Sequence, residues 1–148
     1  MEPIDYFKLQ AKNLFKDYKT QTPPTSEDDY YEYHPTYFDI LGIFLAFTDL
    51  DEENFTLMKA QHVIAQLAGF YKWTDMLKAS TAELELGKLL FDNQDKLSID
   101  DWEIYLNIGE SDYNITYTPE QRLEIFKVVF LNGDGYGDSA QDFRLPRT

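Results

Sequence analysis

Cysteine is missing altogether from the 148 residues, which excludes a disulfide framework, a thiolate zinc site and a cysteine nucleophile. Long apolar runs are missing as well. The longest, Ile40 to Phe47, covers eight positions with Gly42 and Ala46 inside it, against the roughly 20 residues a helix needs to cross a bilayer. No membrane span is expected. The opening Met1-Glu2-Pro3-Ile4-Asp5 has neither the basic start nor the apolar stretch of a signal peptide, and the reading places the chain in the cytoplasm. Basic residues are scarce, 13 against 27 acidic ones for a net charge of −14. A field of that sign repels phosphate backbones and anionic membranes and favours neutral or basic partners. The phosphate-binding and nucleophile-elbow signatures G-x-x-x-x-G-K-[ST], G-x-G-x-x-G after a strand and G-x-S-x-G do not occur.

What is present is core material and helix punctuation. The apolar fraction is 43%, with 11 Phe, 11 Tyr and 2 Trp, enough large side chains for one hydrophobic core without staples. Pro3 suits a first helical turn, and Ile4, Phe7, Ala11, Leu14, Phe15 and Tyr18 recur at helical intervals. Thr36 is read as the cap of a buried helix through Phe38, Ile40, Leu41, Ile43, Phe44, Leu45 and Phe47, apolar on nearly every side. Thr56 caps a helix carrying Leu57, Ala60, Val63, Ile64, Leu67 and Ala68, which Gly69 stops. A short turn with Trp73, Met76 and Leu77 is expected to fold back and bury its indole. Ser80 with Glu83 forms a capping box, Ser98 with Asp101 a further cap, and Thr118-Pro119-Glu120-Gln121 opens a last helix through Phe130 that Gly133 ends. The sum is an all-α single domain, an irregular bundle of about six helices over residues 1–133. A flexible tail follows at 134–148, in which Phe143 and Leu145 are the available anchors.

The stretch Ala60-Gln61-His62-Val63-Ile64-Ala65-Gln66-Leu67-Ala68-Gly69-Phe70-Tyr71-Lys72-Trp73-Thr74-Asp75-Met76-Leu77, with Gln10-Ala11-Lys12-Asn13-Leu14 upstream, resembles a small bacterial helical domain found in glyoxalase-superfamily-related proteins. The likeness covers residues of about 4–18 and 57–79. It implies a shared architecture, a helix ending in an Ala-x-x-x-Gly-Phe turn with a Trp packed under it, and carries over no catalytic residue. The chain departs from that pattern by the loop at 20–35 and by the helices after Ser80.

Two segments stand out as binding candidates. The loop at 20–35 combines Glu27, Asp28, Asp29 and Glu32 with Tyr30, Tyr31 and Tyr33. Loops of this length inside a domain are usually functional or mobile, and this composition suits a basic protein partner. The alternative is a nucleic-acid-associated regulator. Lys8, Lys12, Lys16 and Lys19 form a row on the first helix against Glu2, Asp5 and Asp17, a balance of +1 that leaves −15 on the rest. An enzyme using Asp100, Asp101 and Glu103 ranks below both. His34 and His62 lack a second His at ligand spacing, so no metal, cofactor or catalytic residue is assigned. Asp92 to Asp101 fails the register of a calcium loop, because Gln94, Lys96 and Leu97 fall where two oxygen ligands and a glycine belong. Asn132 to Asp138 is rich in glycine and oxygen ligands and reads as part of the tail.

Overall fold

The structure, a computed structural model, describes residues 1–27, 30–135 and 141–146. Over them the chain is all-α, as expected, with seven α-helices and one π-helical segment and no strand, only two isolated bridges. The residues group into two compact units. One holds Met1, Asp5–Ile64 and the chain from Phe143 onward, and the other holds Glu2–Ile4 and Ala65–Asp142.

In the first unit, α1 (Pro3–Tyr18) buries Phe7, Gln10, Ala11, Asn13, Leu14 and Asp17, the one-sided seam that a three-and-four spacing produces. α2 (Ile40–Ala46) departs from expectation in two ways. Its cap is Asp39, whose Oδ1 accepts the Gly42 N–H at 3.1 Å, and not Thr36, whose own N–H is bonded to Asp17 at 2.9 Å. Nor is it buried all round. Ile40 and Ile43 face inward while Leu41 and Leu45 stay 52% and 80% exposed, because so short a helix presents a single seam to its neighbours. The chain from Phe143 docks alongside. The Asp39 N–H donates to the Phe143 carbonyl at 2.8 Å, the Leu145 N–H donates to the Tyr37 carbonyl at 2.9 Å, and the Phe143 ring lies 5.9 Å from that of Phe47. Tail residues 136–140 and 147–148 lie outside the described residues.

α3 (Leu57–Leu67) starts at Thr56, whose hydroxyl accepts the Lys59 N–H at 3.2 Å. It ends as read, with Gly69 at φ +89° and the Phe70 N–H closing back on the Ala65 carbonyl at 2.9 Å, the left-handed stop that glycine adopts without a Cβ penalty. In the second unit, α4 (Trp73–Leu77) buries Met76 but leaves Trp73 only half-buried, so the indole is less covered than expected. Both capping boxes form, at Ser80 for α5 (Thr81–Asp92) and at Thr118 for α7 (Pro119–Ile125), and Ser98 caps α6 (Ile99–Tyr113). Asn114 ends α6 in the left-handed region at φ 53°, one of the few residues besides glycine that visit it readily.

After α7 the chain does not continue as an α-helix. Phe126–Leu131 is π-helical, with the Asn132 N–H reaching the Lys127 carbonyl at 2.8 Å. In this form Phe126 and Phe130 both stand edge-on to the Trp102 ring, at 5.4 and 5.8 Å. The core of this unit is Leu86, Leu90, Leu97, Trp102, Leu106, Leu123, Phe126 and Phe130.

Candidate functional site

The loop at 20–35 is held at its exit by a side chain that the sequence reading counted only among the acids beside the lysine row of the first helix. Asp17, 2% exposed, accepts three backbone N–H groups, from Thr36 at 2.9 Å and from Tyr37 and Phe38 at 2.7 Å each. A carboxylate can take several charge-assisted bonds, and three here fix the exit of the loop. Within the loop Thr22 and Glu32 pair through both backbone bonds, at 2.7 and 3.2 Å, and the Thr20 hydroxyl accepts the His34 N–H at 2.8 Å.

The far side of the loop closes on residues 50–54. The Tyr33 hydroxyl donates to Glu52 Oε2 at 2.7 Å and accepts from Gln21 Nε2 at 2.8 Å. The Glu52 carbonyl accepts from Gln21 Nε2 at 2.9 Å and from the Tyr18 hydroxyl at 2.7 Å. The Tyr31 hydroxyl donates to Glu53 Oε1 at 3.1 Å. Beneath these bonds the Tyr18 ring meets Phe55 at 5.0 Å, Phe44 at 6.1 Å and Tyr33 at 6.4 Å. Burial and then the bond to Glu52 hold the Tyr33 phenol well above the ordinary tyrosine range, and Tyr31 is raised as well, by desolvation and by Glu53. Both phenols are therefore neutral donors to carboxylates.

The residues assigned to partner binding thus divide. Glu27, Tyr30 and Glu32 are exposed, Tyr30 at 86%. Tyr31 and Tyr33 are half-buried and spend their hydroxyls on Glu53 and Glu52. Asp28 and Asp29 lie outside the described residues. Missed by the sequence reading is the contribution of Asp49, Asp51 and Glu53, exposed groups on the connection the loop packs against. The signal for them was there: between Lys19 and Lys59 the chain has nine acidic residues and neither lysine nor arginine.

Elsewhere the placements are simple. Lys8, Lys12 and Lys16 are exposed on α1, and the Lys19 ammonium sits 4.5 Å over the Phe15 ring. His34 is exposed and His62 half-buried, and among the described residues no three His, Asp or Glu are grouped to hold a metal. In the Asp92 to Asp101 segment Asn93 closes α5, Ser98 opens α6, and Gln94 is buried with its Nε2 on the Phe91 carbonyl at 2.9 Å. Of Asn132 to Asp138, Tyr136, Gly137 and Asp138 lie outside the described residues. Asp100 and Glu103 are exposed on α6 and Asp101 is half-buried.

The second unit contains a cavity of about 340 Å³ between α5, α6 and the start of α7, with Phe70, Leu86, Trp102 and Leu106 among its walls. Its charged lining consists of Glu83, Glu103 and Arg122. No protein-family model, curated protein or solved structure matches this chain.

Proposed function

We propose that this chain is a non-enzymatic binding module that engages a basic protein partner through the surface made by the loop at 20–35 and residues 49–53. The observation that carries this reading is the closing of one acidic segment on another through tyrosine hydroxyls, Tyr33 to Glu52 and Tyr31 to Glu53, in a stretch with no cation between Lys19 and Lys59. Carboxylates that make no ion pair among the described residues steer and select a partner of opposite charge. Tyr30, 86% exposed among them, is the kind of aromatic group that anchors interfaces. Because the loop is already tied at Asp17 and Glu52, less ordering is needed on binding.

The test is affinity capture from the native cell with the wild-type chain and with a Glu27→Lys/Tyr30→Ala/Glu32→Lys variant, followed by titration of the captured partner over a salt series. A basic partner retained by the wild type, lost by the variant and weakened by salt is the expected result. Retention by both proteins, or affinity indifferent to ionic strength, refutes the reading. Capture that instead fails on replacing Lys8, Lys12 and Lys16 with glutamate, together with a salt-dependent mobility shift of DNA or RNA, favours the nucleic-acid alternative.

A further inference from the structure

We infer that the cavity of the second unit binds a small zwitterion with an apolar body, of which a free hydrophobic α-amino acid is the simplest. Its volume of about 340 Å³ lies within the range of small-molecule sites, which are mostly apolar with a few polar groups that fix orientation. Phe70, Leu86, Trp102 and Leu106 supply the apolar walls. Trp102 is held there by its edge contacts with Phe126 and Phe130, and Phe70 sits so close to α5 that a Cβ on Gly87 would come within 2.8 Å of its ring.

The charged groups set the ligand's polarity. Arg122 reaches Glu110 only at 3.5 Å, and the same Glu110 Oε2 already accepts the Tyr117 N–H at 2.7 Å. The Arg122 Nε is buried and has no hydrogen-bond partner. With Nε closed off and the side chain 40% exposed, a ligand carboxylate on the cavity side is met by the Nη groups, for which it is the natural complement. A plain anion does not fit, however, since Glu83 and Glu103 share the wall. Glu83 is fixed by its bond from the Ser80 N–H at 3.2 Å, and Glu103 makes no hydrogen bond or ion pair among the described residues. A guanidinium with one long ion pair and an exposed carboxylate with no protein partner among the described residues match a ligand that offers both charges.

The experiment titrates a Trp73→Phe variant, which isolates Trp102 fluorescence, and in parallel the full wild-type chain by calorimetry, with L-phenylalanine and L-leucine. L-Phenylalaninamide and N-acetyl-L-phenylalanine serve as probes lacking the anionic and the cationic group. Saturable binding of the free amino acids is expected, with each blocked analogue at least about tenfold weaker, as the loss of one charged hydrogen bond implies. Glu103→Gln, a change on an exposed rim residue, is expected to weaken L-phenylalanine about tenfold and leave the N-acetyl analogue unaffected. No binding of either amino acid at millimolar concentration overturns the inference. So does amide binding as tight as that of the acid, which would make the site one for simple cations, or an unchanged affinity in Glu103→Gln.

Discussion

Replacing Asp17 by alanine removes an acceptor on which three backbone N–H groups converge, those of Thr36, Tyr37 and Phe38. The bond to Phe38 is buried and the other two are part-buried. Leaving a fully buried donor unsatisfied costs roughly 2 kcal/mol, and a donor that water can partly reach about half of that. The sum is about 4 kcal/mol, a large share of the 5 to 15 kcal/mol that stabilises a typical domain. Asparagine keeps one carbonyl oxygen but turns an amide toward backbone donors, and about half the loss is expected. The effect should also be local before it is global. Tyr37 and Asp39 hold the chain at Phe143 and Leu145, so freeing 36–38 also loosens that docked segment. Urea unfolding gives the magnitude, and native-state hydrogen exchange gives the location, through lost protection at the amides of Thr36, Tyr37 and Phe38. A destabilisation under about 1 kcal/mol for Asp17→Ala, or unchanged exchange at those three amides, would refute the reasoning.

Tyr33→Phe removes the donor to Glu52 and the acceptor for Gln21, for a loss of about 1 kcal/mol near neutral pH. Because the folded Tyr33 phenol titrates above the unfolded one, its contribution is complete below the unfolded value. It falls as pH rises past that value toward the folded one, since the unfolded chain then releases the proton first. The wild type should therefore lose stability on the alkaline side more steeply than Tyr33→Phe, as read by denaturant titrations over pH; parallel curves count against the assignment. Phe143→Ala empties a site 8% exposed beside Phe47 and should cost about 3 kcal/mol. Limited proteolysis should then cut the C-terminal segment sooner, and unaltered cleavage would mean that the segment is not anchored by that ring.

The helix starts were legible because their determinants lie within one turn. At Ser80, Ser98 and Thr118 a hydroxyl meets the N–H three residues on, and both partners can be read from a few letters. Thr36 has the same letter and a different fate: the helix opens only at Ile40, with Asp39 as its cap, and the Thr36 N–H is bonded to Asp17, 19 positions upstream. No local pattern contains that bond. The same distinction accounts for the C-terminal segment, where Phe143 and Leu145 could be named as anchors but their backbone partners, Asp39 and Tyr37, could not. For the change from α to π geometry at Phe126 the sequence offered no mark that separates it from an ordinary amphipathic helix.

The acidic surface was half legible, and the missing half follows from what the tyrosines do. Read as letters, Tyr18 belongs to an apolar seam and residues 49–53 to a polar connection. In the fold the Tyr18 hydroxyl holds the Glu52 backbone while Tyr33 holds its carboxylate. The choice of donor matters for function. Two carboxylates 10 Å apart in water repel by only about 0.4 kcal/mol, so many small terms oppose gathering acidic groups without any single one forbidding it. Lysine or arginine would offset them and cancel the charge as well. A neutral phenol supplies the hydrogen bond and leaves the charge in place. A fold that gathers Glu27, Glu32, Asp49, Asp51 and Glu53 on one unit while using tyrosine, and no lysine or arginine from 20 to 58, leaves the negative charge of that segment uncancelled from within it. Adding a lysine next to Glu52 would be expected to strengthen the isolated protein in denaturant titrations and, on the proposed function, to weaken capture of a basic partner.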